Sequence, residues 1–295
     1  MPPLSEADNA TENQGYFYAT LAYVIWGVAP IYFVYLHFAE PLEILAQRIV
    51  WSVPLLAVLI LVGRQWRGIR ELSGKAYLAL AACSLLLSIN WLTFIYGILE
   101  GRINETSLGY FINPLVSIAL GAIVLGERLR PLQWLAVSFA IAGVGYELVI
   151  LGTLPWVAVT LAMTFGLYGL IRKQVQVPAA LGLGIETVLL APVAAGYLVL
   201  GLNVERSGEE LTWLAFGGVV TVVPLVLFGA AAVRLPLTIL GVFQYLAPTI
   251  SLIIAVVMFN ETVGQPRWVA FTMTWVGIAI FTVASWRATR AVTRT

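Results

Sequence analysis

Two ionisable side chains, Arg48 and Glu186, stand inside long apolar runs of this chain. A charge at the centre of a membrane span costs about 3 kcal/mol unless it faces water or a partner, so each marks a structural tie or a polar pathway. Counting 1.5 Å per residue along each run, Arg48 falls at the level of Asn90, Trp91, Tyr110 and Asn113. A cation, two amides and two aromatic rings at one depth suit a small anionic or zwitterionic organic solute, with the guanidinium and amides donating and the rings forming flat walls. The alternative is that Asn90 and Asn113 bond each other as an interhelical tie, and that Arg48 caps backbone carbonyls. About 15 Å away in depth by the same count, Glu186 shares its level with Tyr168, while Gln244 and Tyr245 lie nearer the midplane. Arg48 and Glu186 are therefore not expected to form one salt bridge. Glu186, read as the solitary carboxylate of its run, is the candidate proton carrier; the competing reading sends it to the membrane interface near Lys173.

The rest of the inventory excludes several classes. There is one His (His37), one Cys (Cys83) and one Asp (Asp8), and neither a metal-spaced pair nor a phosphate-cradling glycine loop occurs. Neither an enzyme nor a nucleotide-driven pump is expected, and no cofactor or metal. The net charge is +1 and the cations sit in short gaps, which leaves no basic face for nucleic acid.

These side chains have to be positioned by membrane helices. Of the 295 residues, 60% are hydrophobic and 11% charged, and the mean hydropathy is +0.92, so lipid is the solvent for most of the chain. Runs long enough to cross about 30 Å of hydrocarbon fall at 16–36, 42–62, 76–98, 105–125, 131–149, 153–172, 182–200, 211–232, 236–259 and 266–286. The stretch from Ser107 through Pro114 and Ser117 to Glu127, Trp134 and Gly143 returns 134 positions later as Gly241, Pro248, Ser251, Glu261, Trp268 and Gly277. More weakly, Trp26-Gly27 matches Phe165-Gly166, and Arg48 with Pro54 matches Glu186 with Pro192. Five helices per copy is an odd number, so the second copy enters from the opposite face. The expected fold is an all-α membrane protein of ten transmembrane helices in two inverted five-helix repeats, a build that places ligand sites between the copies. The divisions are a tail at 1–15, repeats at 16–149 and 153–286, and a basic tail at 287–295. With the N-terminus cytoplasmic, twelve Lys and Arg fall on inside segments and three outside, which predicts both termini in the cytoplasm. The cluster Arg64, Arg67, Arg70 and Lys75 then reads as a topology signal in contact with lipid headgroups. A transmembrane proline frees the carbonyl four residues before it, which makes Pro114 and Pro248 candidate hinges.

The ordered set Trp26-Gly27-x-x-Pro30, Gln47-Arg48-Ile49-Val50-Trp51-Ser52, Asn90-Trp91, Ser107-Leu108-Gly109-Tyr110-Phe111-Ile112-Asn113-Pro114-Leu115, Gly126-Glu127-Arg128-Leu129, Phe165-Gly166-x-Tyr168-Gly169, Glu186-Thr187, Pro224-Leu225 and Gln244-Tyr245-x-Ala247-Pro248 resembles the RarD branch of the EamA transporters, in the drug/metabolite transporter superfamily, over residues 16 to 286. The branch usually has histidine where this chain has Gln47. The resemblance implies a multi-pass carrier of the bacterial inner membrane with two EamA domains and a central cavity lined by both. Its partners would be a small-molecule solute, protons and membrane lipids. Export of amino acids or related metabolites is the leading expectation; drug efflux, or a non-transporting sensor or assembly subunit, is the alternative. The candidate solute contacts are Trp26, Arg48, Asn90, Trp91, Tyr110, Asn113, Tyr168, Glu186, Gln244 and Tyr245.

Overall fold

A computed structural model describes residues 6–152, 155–201 and 205–292. Parts of both expected tails, including Arg294, and residues 153 and 154 at the head of the second repeat lie outside the described residues. The described chain is helical: α1 (Glu6–Val34), α2 (Pro41–Val62), a 3₁₀ helix (Gln65–Glu71), α3 (Gly74–Leu99), α4 (Ile103–Ile123), α5 (Pro131–Leu151), α6 (Trp156–Val175), α7 (Ala179–Gly201), α8 (Gly208–Ala232), α9 (Leu237–Phe243), α10 (Leu246–Val257) and α11 (Gln265–Val292). Among the described residues nine spans are long and apolar enough to cross a bilayer, with α9 and α10 together forming one of them. The tenth, α6, has 20 residues and carries Arg172 and Lys173 in its last turn. Such helices satisfy their own backbone polar groups, as hydrocarbon requires.

Helix ends follow local chemistry. Pro41 and Pro131 open α2 and α5, where a missing N–H has no intrahelical acceptor to lose. Ser207 and Glu210 close a reciprocal capping box on α8. The start of α1 at Glu6 lies within the stretch read as a tail; the Tyr16 hydroxyl donates to Glu12 Oε1 one turn away at 2.7 Å, a pairing that only a helix makes.

The packing repeats itself under exchange of the two halves. Helix α1 packs on α10 as α6 packs on α4; α1 packs on α8 as α6 packs on α3; α2 packs on α8 as α7 packs on α3. The pairs α2 with α7, α4 with α9 and α5 with α11 map onto themselves. Close approaches give the sense of the exchange. A Cβ on Gly143 would meet Ala270 O at 3.0 Å, and a Cβ on Gly277 would meet Ala136 O at 2.6 Å. Positions 143 and 136 are the 134-residue equivalents of 277 and 270, so α5 and α11 run antiparallel about a local two-fold axis. In the same way Gly27 sits against Ile250 and Gly166 against Val116. The two repeats are inverted.

The α5–α11 seam depends on those missing side chains. Gly277→Val is expected to cost about 1–3 kcal/mol by overpacking, whereas Gly145→Val, with nothing within 4 Å of its Cβ position, should stay near neutral; thermal unfolding of the two variants in detergent compares them.

Candidate functional site

Arg48 reaches from α2 to α8. Its Nε donates to Thr221 Oγ1 at 2.7 Å, and Thr221 donates to Gly217 O one turn back at 2.7 Å. The absent side chain of Gly217 leaves room for the arginine stem, whose Cγ would lie 2.8 Å from a Cβ there. The guanidinium lies 5.4 Å from the Phe33 ring centroid and 5.9 Å from that of Trp91, distances at which a cation is attracted by the ring face. Its two Nη groups make no hydrogen bond among the described residues, yet neither is sealed from solvent. Tyr110 of α4 stands edge-on to Phe94 of α3 at 6.4 Å, one turn along that helix from Trp91, and keeps 48% of its surface accessible. Arg48 and Trp91 thus meet beside Phe33 at a site with aromatic walls and unspent cationic donors, built by α1, α2 and α8 on one side and α3 on the other.

The amides at this depth have separate duties. Asn90 gives both Nδ2 hydrogens to α6, to Leu161 O and Thr164 Oγ1, each at 2.9 Å, which makes it a tie between α3 and α6. The alternative Asn90–Asn113 bond does not form; Asn113 Oδ1 is buried without a partner. Trp26 lies apart from Arg48 in an aromatic cluster with Tyr23, Phe165 and Phe228.

The level of Glu186 differs from its sequence reading. Glu186 is not solitary: Arg172 Nη1 of α6 lies 3.6 Å from its Oε1, and each side chain is 1% exposed. Helix α6 runs on to Val175, so Arg172, counted in the sequence with the loop cations, stays inside the helix and points into the bundle. Gly182 of α7 and Gly229 of α8 make room for its guanidinium, which an added Cβ on Gly182 would strike. Lys173 takes no part with Glu186. It caps the end of α8 instead, donating to Ala232 O at 3.4 Å and to Leu235 O in the following turn at 2.5 Å. Tyr168, 1% exposed, stacks on Phe228 with ring centroids 5.8 Å apart. Ser84 of α3 donates to Glu186 O at 3.0 Å. Both carboxylate oxygens of Glu186 lack a hydrogen-bond donor within bonding distance, as do Arg172 Nε and Nη1 an acceptor; the pair is a charge contact with free hydrogen-bonding capacity on both sides.

Between the two levels, α9 and α10 are separated by a turn at Gln244 and Tyr245, four residues before Pro248, whereas α4 is continuous through Pro114. Gln244 Nε2 donates to Ser117 Oγ at 2.8 Å and the Tyr245 hydroxyl to Phe111 O at 3.3 Å, so both side chains bind the interruption to α4. Gln244 Oε1 and the Tyr23 hydroxyl are buried without partners.

Two further carboxylates also join the halves: Glu127, whose sequence reading is a helix cap or interface charge, and Glu43, which the spacing argument missed. Glu127 Oε1 and Oε2 accept from Leu237 N at 2.7 Å and Thr238 N at 2.8 Å, capping α9. Its repeat partner Glu261 is exposed, and among the described residues its side chain makes no hydrogen bond or ion pair, only its backbone N–H donating to Ala255 O at 3.0 Å. Glu43, 2% exposed in its side chain, receives a bidentate contact from Arg206, Nε to Oε1 at 3.0 Å and Nη2 to Oε2 at 2.5 Å. That pairing raises the Arg206 pKa. The sequence signal for Glu43 was its place in the first turn after Pro41, close to the expected interface.

Removing Arg172 alone strands a buried carboxylate. Arg172→Leu is expected to cost about 3–5 kcal/mol, and the double variant Arg172→Leu, Glu186→Leu to recover most of that loss; unfolding in detergent reads both.

Comparison with known proteins places this architecture. Residues 13–147 match the model of the EamA-like transporter family. An uncharacterized transporter of Pseudomonas aeruginosa is 44% identical over 95% of this chain and 98% of its own length. Protein RarD of Escherichia coli is 43% identical over 93% of this chain and 95% of its own. A crystal structure superposes with a TM-score of 0.71 at 18% identity, covering 93% of this chain and 98% of that one, and shows the same fold.

Proposed function

The chain belongs to the RarD branch of the EamA-like transporters, and from that premise we propose that it is an alternating-access secondary transporter that exports amino acids or related small metabolites across the bacterial inner membrane, with both termini cytoplasmic. The observation that carries the reading is the Arg48 recess. A guanidinium with Nε fixed by Thr221 and both Nη groups unspent is preorganised for a carboxylate, which accepts two parallel hydrogen bonds from that fork. Phe33, Trp91 and Tyr110 add apolar area for the organic part of the solute.

Alternation is supported by unequal closure of equivalent ends. The Glu127 carboxylate clamps α9 on the side assigned to the cytoplasm, while the equivalent Glu261 on the other side is open to solvent. This arrangement is the outward-accessible state, with Tyr110 exposed at the outer level. Closing the outer end and releasing the inner one gives the exchanged state, and the inverted repeat supplies both from one set of contacts. The interruption at Gln244–Tyr245 and the proline bend at Pro114 are the places where the spans absorb that change.

Glu186 is the proton carrier in this scheme. Ionised, it holds Arg172 and so ties α7 to α6; a proton taken by Glu186 releases the guanidinium, which makes protonation and movement of α6 against α7 one event.

Proteoliposomes loaded with pooled labelled amino acids and metabolites test the site. Arg48→Ala is expected to weaken apparent affinity roughly tenfold, the scale of one lost charge-assisted hydrogen bond of about 1.5 kcal/mol; parent-like transport of every solute by that variant removes Arg48 from the site. Glu186→Gln should abolish stimulation by an imposed pH gradient while solute exchange without a gradient persists. Retention of the full pH response in that variant assigns coupling elsewhere.

A further inference from the structure

We propose that the apolar groove between α2, α3 and α7 seats one acidic phospholipid, with an acyl chain in the groove and its phosphate held by Arg67, Arg70 and Lys75. The groove has a volume of about 720 Å³ and is walled by residues such as Leu56, Ile60, Leu78, Gly184 and Val188, within the range of about 300–1,000 Å³ that holds small ligands. Tyr77 carries the only polar side chain on its walls, and the Tyr77 hydroxyl is itself occupied, donating to Ile69 O at 2.8 Å. A wall so bare of donors and acceptors selects hydrocarbon.

What selects the headgroup is the rim. Ile69 and Tyr77 belong both to the groove and to the two segments that close one end of it, the 3₁₀ helix and the start of α3. Those segments carry Arg64, Arg67, Arg70 and Lys75 against a single acid, Glu71. All four cations are exposed and none makes an ion pair among the described residues. Trp66 lies under the Arg67 guanidinium at 5.5 Å and, with Tyr77, supplies rings of the kind that settle at the headgroup level. An apolar slot that ends under three or four unpaired cations complements a lipid with a net negative head; a zwitterionic lipid fills the slot without answering the charge. The wall residues Gly184, Ile185 and Val188 flank Glu186 on α7, so the lipid chain would lie along the outer face of the helix whose inner face holds the ion pair with Arg172. The site is independent of the Arg48 recess and of whatever solute passes it.

The test uses the full chain, freed of lipid in detergent and reloaded with phosphatidylglycerol or phosphatidylcholine of identical acyl chains, with retained lipid counted by mass spectrometry of the intact protein. Phosphatidylglycerol should be retained about tenfold better than phosphatidylcholine, given the attraction each basic residue exerts on an anionic lipid. Arg67→Gln, Arg70→Gln and Lys75→Gln together should reduce that preference to parity without changing retention of phosphatidylcholine. Val188→Trp, which fills the groove from an exposed position, should lower retention of both lipids, and glycerol phosphate in solution should displace neither. Equal retention of the two lipids by the parent chain, an intact preference in the triple variant, unaltered retention in Val188→Trp, or displacement by glycerol phosphate each overturns the proposal. All of the substituted side chains are exposed, so unfolding temperatures close to the parent's should accompany every measurement.

Discussion

A polar atom in hydrocarbon has no water to turn to, and that constraint decides where each buried charge of this bundle stands. Glu43 meets Arg206, Glu186 meets Arg172, Lys173 ends on the last carbonyl of α8 and on Leu235 O just beyond it, and Glu127 ends on the first amides of α9. Many of the polar ties run from one half to the other, among them Arg48 to Thr221, Glu43 to Arg206, Glu127 to α9, Asn90 to α6 and Gln244 to Ser117. Directional bonds of this kind are either made or absent, unlike apolar contact, which grades smoothly with area. An interface pinned by a few of them has discrete arrangements, the property a switching machine requires.

The two halves are alike in topology and unlike in shape, and the difference sits where movement would occur. The α5–α11 seam obeys the two-fold relation down to the paired glycine contacts at 143 and 277. The α4–α9 contact does not. One copy keeps a continuous helix through its proline, and the other breaks at Gln244–Tyr245 and fastens the break with bonds to Ser117 and Phe111. Two versions of one sequence pattern therefore display two backbone states within a single molecule. Their free energies must be close enough for local partners to choose between them.

Most of the fold was legible because lipid imposes a simple rule: length and apolarity set the spans, and apart from the early start of α1 and the run of α11 to Val292, into the stretch read as the basic tail, their ends fall within a few residues of the sequence reading. The duplication was legible because Pro114, Glu127 and Gly143 return at a fixed interval. The site was legible where depth along a helix suffices, which is why Arg48 and Trp91 come together. Depth says nothing of azimuth. Asn90 and Asn113 share a level but face different neighbours, and Trp26 turns toward the Phe165 and Phe228 rings instead of Arg48. Arg172 was misplaced for a different reason: a cation near a helix end is normally solvated, and only the approach of Gly182 and Gly229 from α7 and α8 creates a pocket that keeps it inside. Close approach between distant segments leaves no local pattern in the sequence.

The seam between α5 and α11 also bears on how the molecule is made. Helix α11 packs chiefly on α5, and α5 has α4 as its only other substantial neighbour. A ribosome therefore releases α5 into the membrane with one long face uncovered and synthesises more than a hundred further residues before the covering helix exists. Until then that face is held by lipid or by the insertion machinery, and the seam closes only once α11 has left the ribosome.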